Sequence, residues 1–173
     1  RRLYFLTESS KLSEMDKQAF NKLASTDEEV EIQKSLALLT ELLYKHYGQK
    51  TILLIDEYDV PLDKAYAHGY YEQMIDLIRA MFGAALKTND SLFFAVMTGC
   101  LRVSKESIFT GVNNFTANTV CTENDPALAA AMGFTPDEVN EMLRYYDLGS
   151  VSDVVKHWYD GYRFGRQEIY SPW

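Results

Sequence analysis

Cysteine is scarce in this chain of 173 residues, and the two present, Cys100 and Cys121, lack the paired spacing of a metal site. Free thiols in a reducing compartment are expected, which points to the cytoplasm. No cluster of Lys and Arg exceeds a pair and the net charge is −8, so this segment offers no direct electrostatic footprint for nucleic acid. No apolar run approaches the ~20 residues of a membrane span, so no membrane partner is expected. His46, His68 and His157 fall in unrelated contexts, and neither a Gly-x-Ser-x-Gly elbow nor a Cys/His pair occurs. Internal repeats and low-complexity linkers are likewise missing, and no signal peptide is visible in this stretch, where a segment upstream of Arg1 would hide one. Arg1 is not an initiator Met and Trp173 follows Ser-Pro, so both ends read as internal to a longer protein.

What the chain does have is a run of apolar residues, Thr51-Ile52-Leu53-Leu54-Ile55, that ends in Asp56-Glu57-Tyr58-Asp59. Such a run predicts a parallel strand buried on both faces, with the acids at its carboxyl end, where open α/β sheets place ligands. A nucleotide-hydrolysing site needs this arrangement: one acid to hold hydrated Mg²⁺ and a neighbour to orient attacking water. The plainer reading is a strand-end turn with solvated acids. The companion phosphate loop G-x-x-x-x-G-K-[ST] is missing, so the chain reads as part of an ATPase module whose phosphate-binding half lies outside it.

Hydrophobic spacing organises the rest. A short helix is expected near 13–23, and Thr26-x-x-Glu29 reads as a capping box for a helix with Ile32, Leu36, Leu39, Leu43 and Tyr47 on its apolar face, stopping at Gly48. After the first strand, 56–64 reads as a loop shaped by Tyr58 and Pro61. A helix over 70–86 follows, with Tyr71, Met74, Ile75, Ile78 and Phe82 inward; Asn89-Asp90 turns the chain, and 91–98 is a second strand. This order predicts a right-handed parallel α/β layout. A third strand is expected over 115–121, after a turn at Asn113-Asn114. The texture changes near 126–134, dividing an α/β core (1–130) from a small helical part (131–173). There Thr135-Pro136-Asp137-Glu138 is a strong helix start, with Val139, Met142, Leu143 and Tyr146 as its buried stripe. Ser150-x-x-Asp153 starts another helix, with Val154, Val155 and Trp158 inward, stopping at Asp160-Gly161.

The candidate chemistry collects at one expected sheet edge. Asp56 and Asp59 are the candidate metal carboxylates, and Glu57 and Arg102 the candidate catalytic residues. If the strand persisted, its pleat would turn Asp56 and Glu57 to opposite sides, giving them different tasks. In a parallel sheet the exit of the second strand opens on the same edge. That puts Thr98 in reach of water or phosphate and Arg102 and Lys105 in reach of phosphate oxygens, the alternative being an ordinary surface loop with solvated cations. Arg163, in Tyr159-Asp160-Gly161-Tyr162-Arg163-Phe164-Gly165, belongs either to a packed C-terminal turn or to a group leaning over the nucleotide.

Several of these stretches resemble the bacterial AAA-ATPase-like family: Ile-Leu-Leu-Ile-Asp56-Glu-Tyr-Asp59-Val-Pro-Leu, the segment from Thr98-Gly-Cys-Leu-Arg to Asn114, Gly133-Phe-Thr, and Trp158-Tyr-Asp-Gly-Tyr-Arg-Phe-Gly165. The resemblance runs over about 36–173 and weakens around 119–131. It implies a partial P-loop NTPase-like parallel sheet flanked by helices, followed by a small helical lid. Asp56-Glu57 then takes the Walker B position and Thr98 to Arg102 the sensor position, with ATP and Mg²⁺ as cofactors. Family members begin with a Gly-Lys-Ser phosphate loop after an Arg-Arg-Phe segment, and many end in a PD-(D/E)XK nuclease-like domain. Here Arg1-Arg2-Leu3 is followed by no Gly-Lys-Ser, so hydrolysis by this chain alone is not expected. The alternative to an ATPase is a nucleotide-dependent switch or scaffold with little turnover, akin to the STAND group, supporting a nuclease-like neighbour in the same polypeptide. Open sheet edges would favour self-association.

Overall fold

A computed structural model describes residues 3–100, 116–119 and 130–171. The chain divides into two compact units, Arg1–Phe115 and Thr116–Trp173.

The first unit begins with a 3-10 turn, Tyr4–Glu8, and helix α1, Glu14–Ser25. Ser13 caps α1 in a full capping box: its hydroxyl accepts from Asp16 N, and Asp16 Oδ2 accepts from Ser13 N at 3.0 Å. Helix α2, Glu29–Tyr47, starts later than the Thr26 box predicts. Thr26 ends α1 instead, its hydroxyl accepts from Glu28 N in a local turn, and Glu28 stands at the start of α2 without a side-chain cap. Gly48 closes α2 at φ +71°, its N–H donating to Tyr44 O.

Helix α2 packs on two sides, which a single apolar stripe does not anticipate. Leu42 joins Leu6, Leu12 and Phe20 in one cluster, with Leu38, Leu39 and Leu43 beside it. Leu36 leans on a second cluster of Leu62, Ile75, Ile78 and Phe82. Tyr47, expected inward, is exposed. Burying each such side chain contributes roughly 1.5–3 kcal/mol.

The expected loop over 56–64 is largely helix: α3 spans Val60–His68. Pro61 sits in its first turn, where a backbone N–H has no helical partner to lose, so the residue read as a loop former starts a helix. Helix α4, Tyr71–Leu86, buries Ile75, Ile78, Phe82 and Ala85, with Tyr71 and Met74 partly covered, as its spacing predicts.

Strands β1, Thr51–Ile55, and β2, Leu92–Met97, pair in parallel. Register runs Ile52 to Phe94 through Ile55 to Met97, with an irregularity that leaves Phe93 without an opposite number. Ile55 and Met97 pack on the α3/α4 cluster. Burial on both faces, expected from the unbroken apolar run, is not observed: Leu54 is 72% exposed, and Ile52, Phe94 and Val96 are exposed on the same side. β1 alternates between a covered and an open face, whereas in β2 Phe93 and Phe94 are both exposed at the irregularity before the alternation resumes. At the entrance to β2, Asn89 Nδ2 donates to Thr40 Oγ1 and to Ala85 O, both at 2.9 Å, and Asn89 Oδ1 accepts from Ser91 N. The neighbouring Thr51 N donates to Ser91 O at 2.8 Å, so this buried polar node sets where the strands meet.

In the second unit, helix α5, Pro136–Tyr145, carries the expected cap: Thr135 and Glu138 form a reciprocal box with Pro136 in the first turn. Val139 and Leu143 are buried, while Met142 and Tyr146 are exposed. Helix α6, Ser152–Tyr159, follows a 3-10 turn, Gly149–Val151, so Ser150 lies in that turn rather than at a helix cap. Val155 packs inward, but Val154 and Trp158 face solvent, contrary to the expected stripe. The segment read as helical with a closing turn also holds an antiparallel hairpin, β3 Tyr162–Phe164 and β4 Gln167–Ile169. Gly165, at φ +58°, makes its tight turn. Phe134 and Tyr170 exchange both backbone hydrogen bonds beside it. The turn at Asn113-Asn114 lies outside the described residues; of the strand expected over 115–121, residues 116–119 are described and form no strand.

Candidate functional site

The site is the carboxyl edge of β1 and β2. Thr98, the residue after β2, donates from its N–H to Ile55 O at 2.9 Å, and its C=O accepts from Tyr58 N at 3.0 Å. A regular parallel ladder would take the second bond from residue 57. The chain therefore carries one extra residue, and Asp56 and Glu57 form a bulge opposite Thr98. Glu57 absorbs the distortion with φ +52°, a left-handed conformation unfavourable for a residue with a Cβ. The pleat therefore does not separate the two acids, because the strand ends at Ile55 and the bulge sets their directions.

Asp56 is exposed and anchored through one oxygen. Its Oδ1 accepts from Glu57 N at 3.0 Å and also from the Thr98 hydroxyl. Its Oδ2 makes no hydrogen bond among the described residues. The Glu57 side chain is exposed beside it. Asp59 differs: it is only 4% exposed and precedes α3, its C=O accepting from Leu62 N and Asp63 N at 3.0 Å. Gly99 is pressed against this turn. A Cβ there would stand 2.7 Å from Tyr58 Cε1 and 2.8 Å from Asp59 Oδ1, so the backbone approaches closer than any side chain allows.

The structure thus brings Asp56, Glu57, Asp59 and Thr98 to one strand-end turn. Arg102 and Lys105 lie outside the described residues. Arg163 is exposed on β3 of the second unit, opposite Glu168. Gly99 and the left-handed backbone at Glu57 escape sequence reasoning. A glycine following a strand hints at close approach, whereas nothing about a glutamate announces positive φ.

Among the described residues, no three His, Cys, Asp or Glu side chains gather into a metal cage. Mg²⁺ does not require one, since it binds through one or two carboxylates while keeping waters and phosphate oxygens. An exposed Asp56 with one oxygen fixed and the other open fits that demand. Among the described residues no helix is long and apolar enough to cross a membrane.

The family described as Predicted AAA-ATPase, AAA-ATPase_like, matches residues 5–109. That stretch contains both strands and the whole strand-end turn, and it excludes Arg163. It begins upstream of the stretch carrying the resemblance and ends before the Gly133 and Trp158 motifs. An uncharacterized protein in the vnfD 5′ region of Azotobacter chroococcum mcd 1 is 28% identical over 126 residues, 72% of this chain and 24% of that protein. The chain therefore spans about a quarter of that relative's length. No solved structure matches the chain. The match over more than half its residues makes the chain a member of the AAA-ATPase-like family of predicted AAA-ATPases.

Proposed function

We propose that the first unit carries the Walker B and sensor regions of an ATPase, with ATP and Mg²⁺ bound in the intact protein. The observation that carries this reading is the parallel pairing of β1 and β2, which puts the Thr98 hydroxyl on the Asp56 carboxylate at one sheet edge. Bound Mg²⁺ would neutralise charge on the phosphates. Asp56 holds its hydration shell, with Asp59 as the buried carboxylate behind. Glu57, with no side-chain partner among the described residues and next in sequence, orients the attacking water. Thr98 stands on the nucleotide side of β2, and Arg102 and Lys105 are the candidate phosphate-binding cations of the following segment. Family membership supports the nucleotide.

The test is nucleotide binding by the intact protein. Wild-type protein should bind ATP more tightly with Mg²⁺ than with EDTA, and Asp56→Asn should abolish the Mg²⁺ enhancement. An intact protein that ignores ATP under both conditions removes the reading.

A further inference from the structure

Thr98 stands on a fixed piece of backbone. Its N–H is held by Ile55 O at 2.9 Å and its C=O by Tyr58 N at 3.0 Å, so the residue is clamped to both ends of the bulge. Its β-branched side chain has few rotamers to choose from. From that platform the hydroxyl donates to Asp56 Oδ1, which also accepts from Glu57 N. Two donors on one carboxylate oxygen fix the turn of the carboxyl group, and hydrogen bonds to an ionised acceptor are about twice as strong as neutral ones. A hydroxyl has a single hydrogen, and here Asp56 takes it.

From this we infer that Thr98 is a positioning residue for Asp56: it holds Oδ1 so that Oδ2 faces the hydrated divalent cation, and it does not donate to phosphate. The inference rests on the functional reading above and gives Thr98 a narrower role within it. Carboxylates that hold metals are commonly oriented by such partners, whose loss weakens metal binding by roughly 10–100-fold.

The test is a Mn²⁺ titration of the intact protein with ATP present, followed by the electron paramagnetic resonance of free Mn²⁺. ATP affinity in EDTA and the melting temperature are measured alongside. Thr98→Val keeps the shape and removes the donor; Thr98→Ser keeps the donor. The valine variant should raise the Mn²⁺ half-saturation about tenfold, with ATP affinity in EDTA unchanged, and the serine variant should restore binding. Combined with Asp56→Asn, the valine change should add nothing. If the valine variant melts early, Thr98→Ala measured in the same way carries the comparison. Wild-type Mn²⁺ binding in a folded donorless variant overturns the inference while leaving the ATPase reading intact. So does loss of ATP affinity in EDTA, which marks a direct phosphate contact. Wild-type protein that binds neither ATP nor Mn²⁺ overturns both.

Discussion

The amide of Tyr58 donates to the carbonyl of Thr98, one residue later than a regular parallel ladder allows. The surplus residue falls on Asp56-Glu57, the acid pair that the sequence marks as chemical. Bulges re-aim side chains at the ends of strands, and this one costs a left-handed glutamate.

That cost is measurable. Glu57→Gly relieves the positive φ and Glu57→Ala does not, so the glycine variant should be more stable than the alanine variant by about 1 kcal/mol in denaturant unfolding. Both should lack turnover, since both lack the carboxylate. Equal stabilities would mean that the left-handed backbone is not retained in solution.

The register that brings Thr98 opposite Asp56 begins at the other end of the strands. Asn89→Ala removes two donated bonds and leaves Ser91 N without its side-chain acceptor. Losing buried hydrogen bonds of this kind costs about 1–3 kcal/mol. Chemical denaturation should find that loss, and a variant as stable as wild type would show that the node does not hold the strands.

Acid sensitivity should centre on α1 and α2. Asp16 is held below its ordinary carboxyl value of 3.8 chiefly by the Lys45 ammonium at 2.6 Å, then by the Ser13 hydroxyl. A depressed carboxyl stabilises the fold fully above its ordinary value and loses that contribution as pH falls through the folded value. Glu138 is lowered in the same sense by the Thr135 backbone and hydroxyl. Melting temperatures recorded from neutral to acid pH should fall through the carboxylate range, and Asp16→Asn should flatten part of that fall. An unchanged acid limb in Asp16→Asn would remove the Asp16–Lys45 link from the account.

Elements with strong periodicity or strong caps were legible in the sequence. Helix α4 could be read from Ile75, Ile78 and Phe82, helix α5 from its Thr135 box, and β1 and β2 from their apolar runs. Helix α3 was hidden because Pro61 signals both a loop and a first helical turn, and only tertiary burial of Leu62 and Ala65 decides between them. The hairpin of β3 and β4 has strands too short to show a period of two. At the candidate site, Asp56 and Thr98 were legible as neighbours because parallel topology follows from element order. The bulge was not, because an inserted residue leaves no compositional trace when it is a glutamate.

The most direct measurement is ATP hydrolysis by the intact protein with and without Glu57→Gln, which keeps shape and bulge but removes the charge. Turnover should fall about 100-fold or more, with Mg²⁺-dependent ATP binding retained. Turnover at the wild-type rate in Glu57→Gln would contradict the role of Glu57 in orienting water.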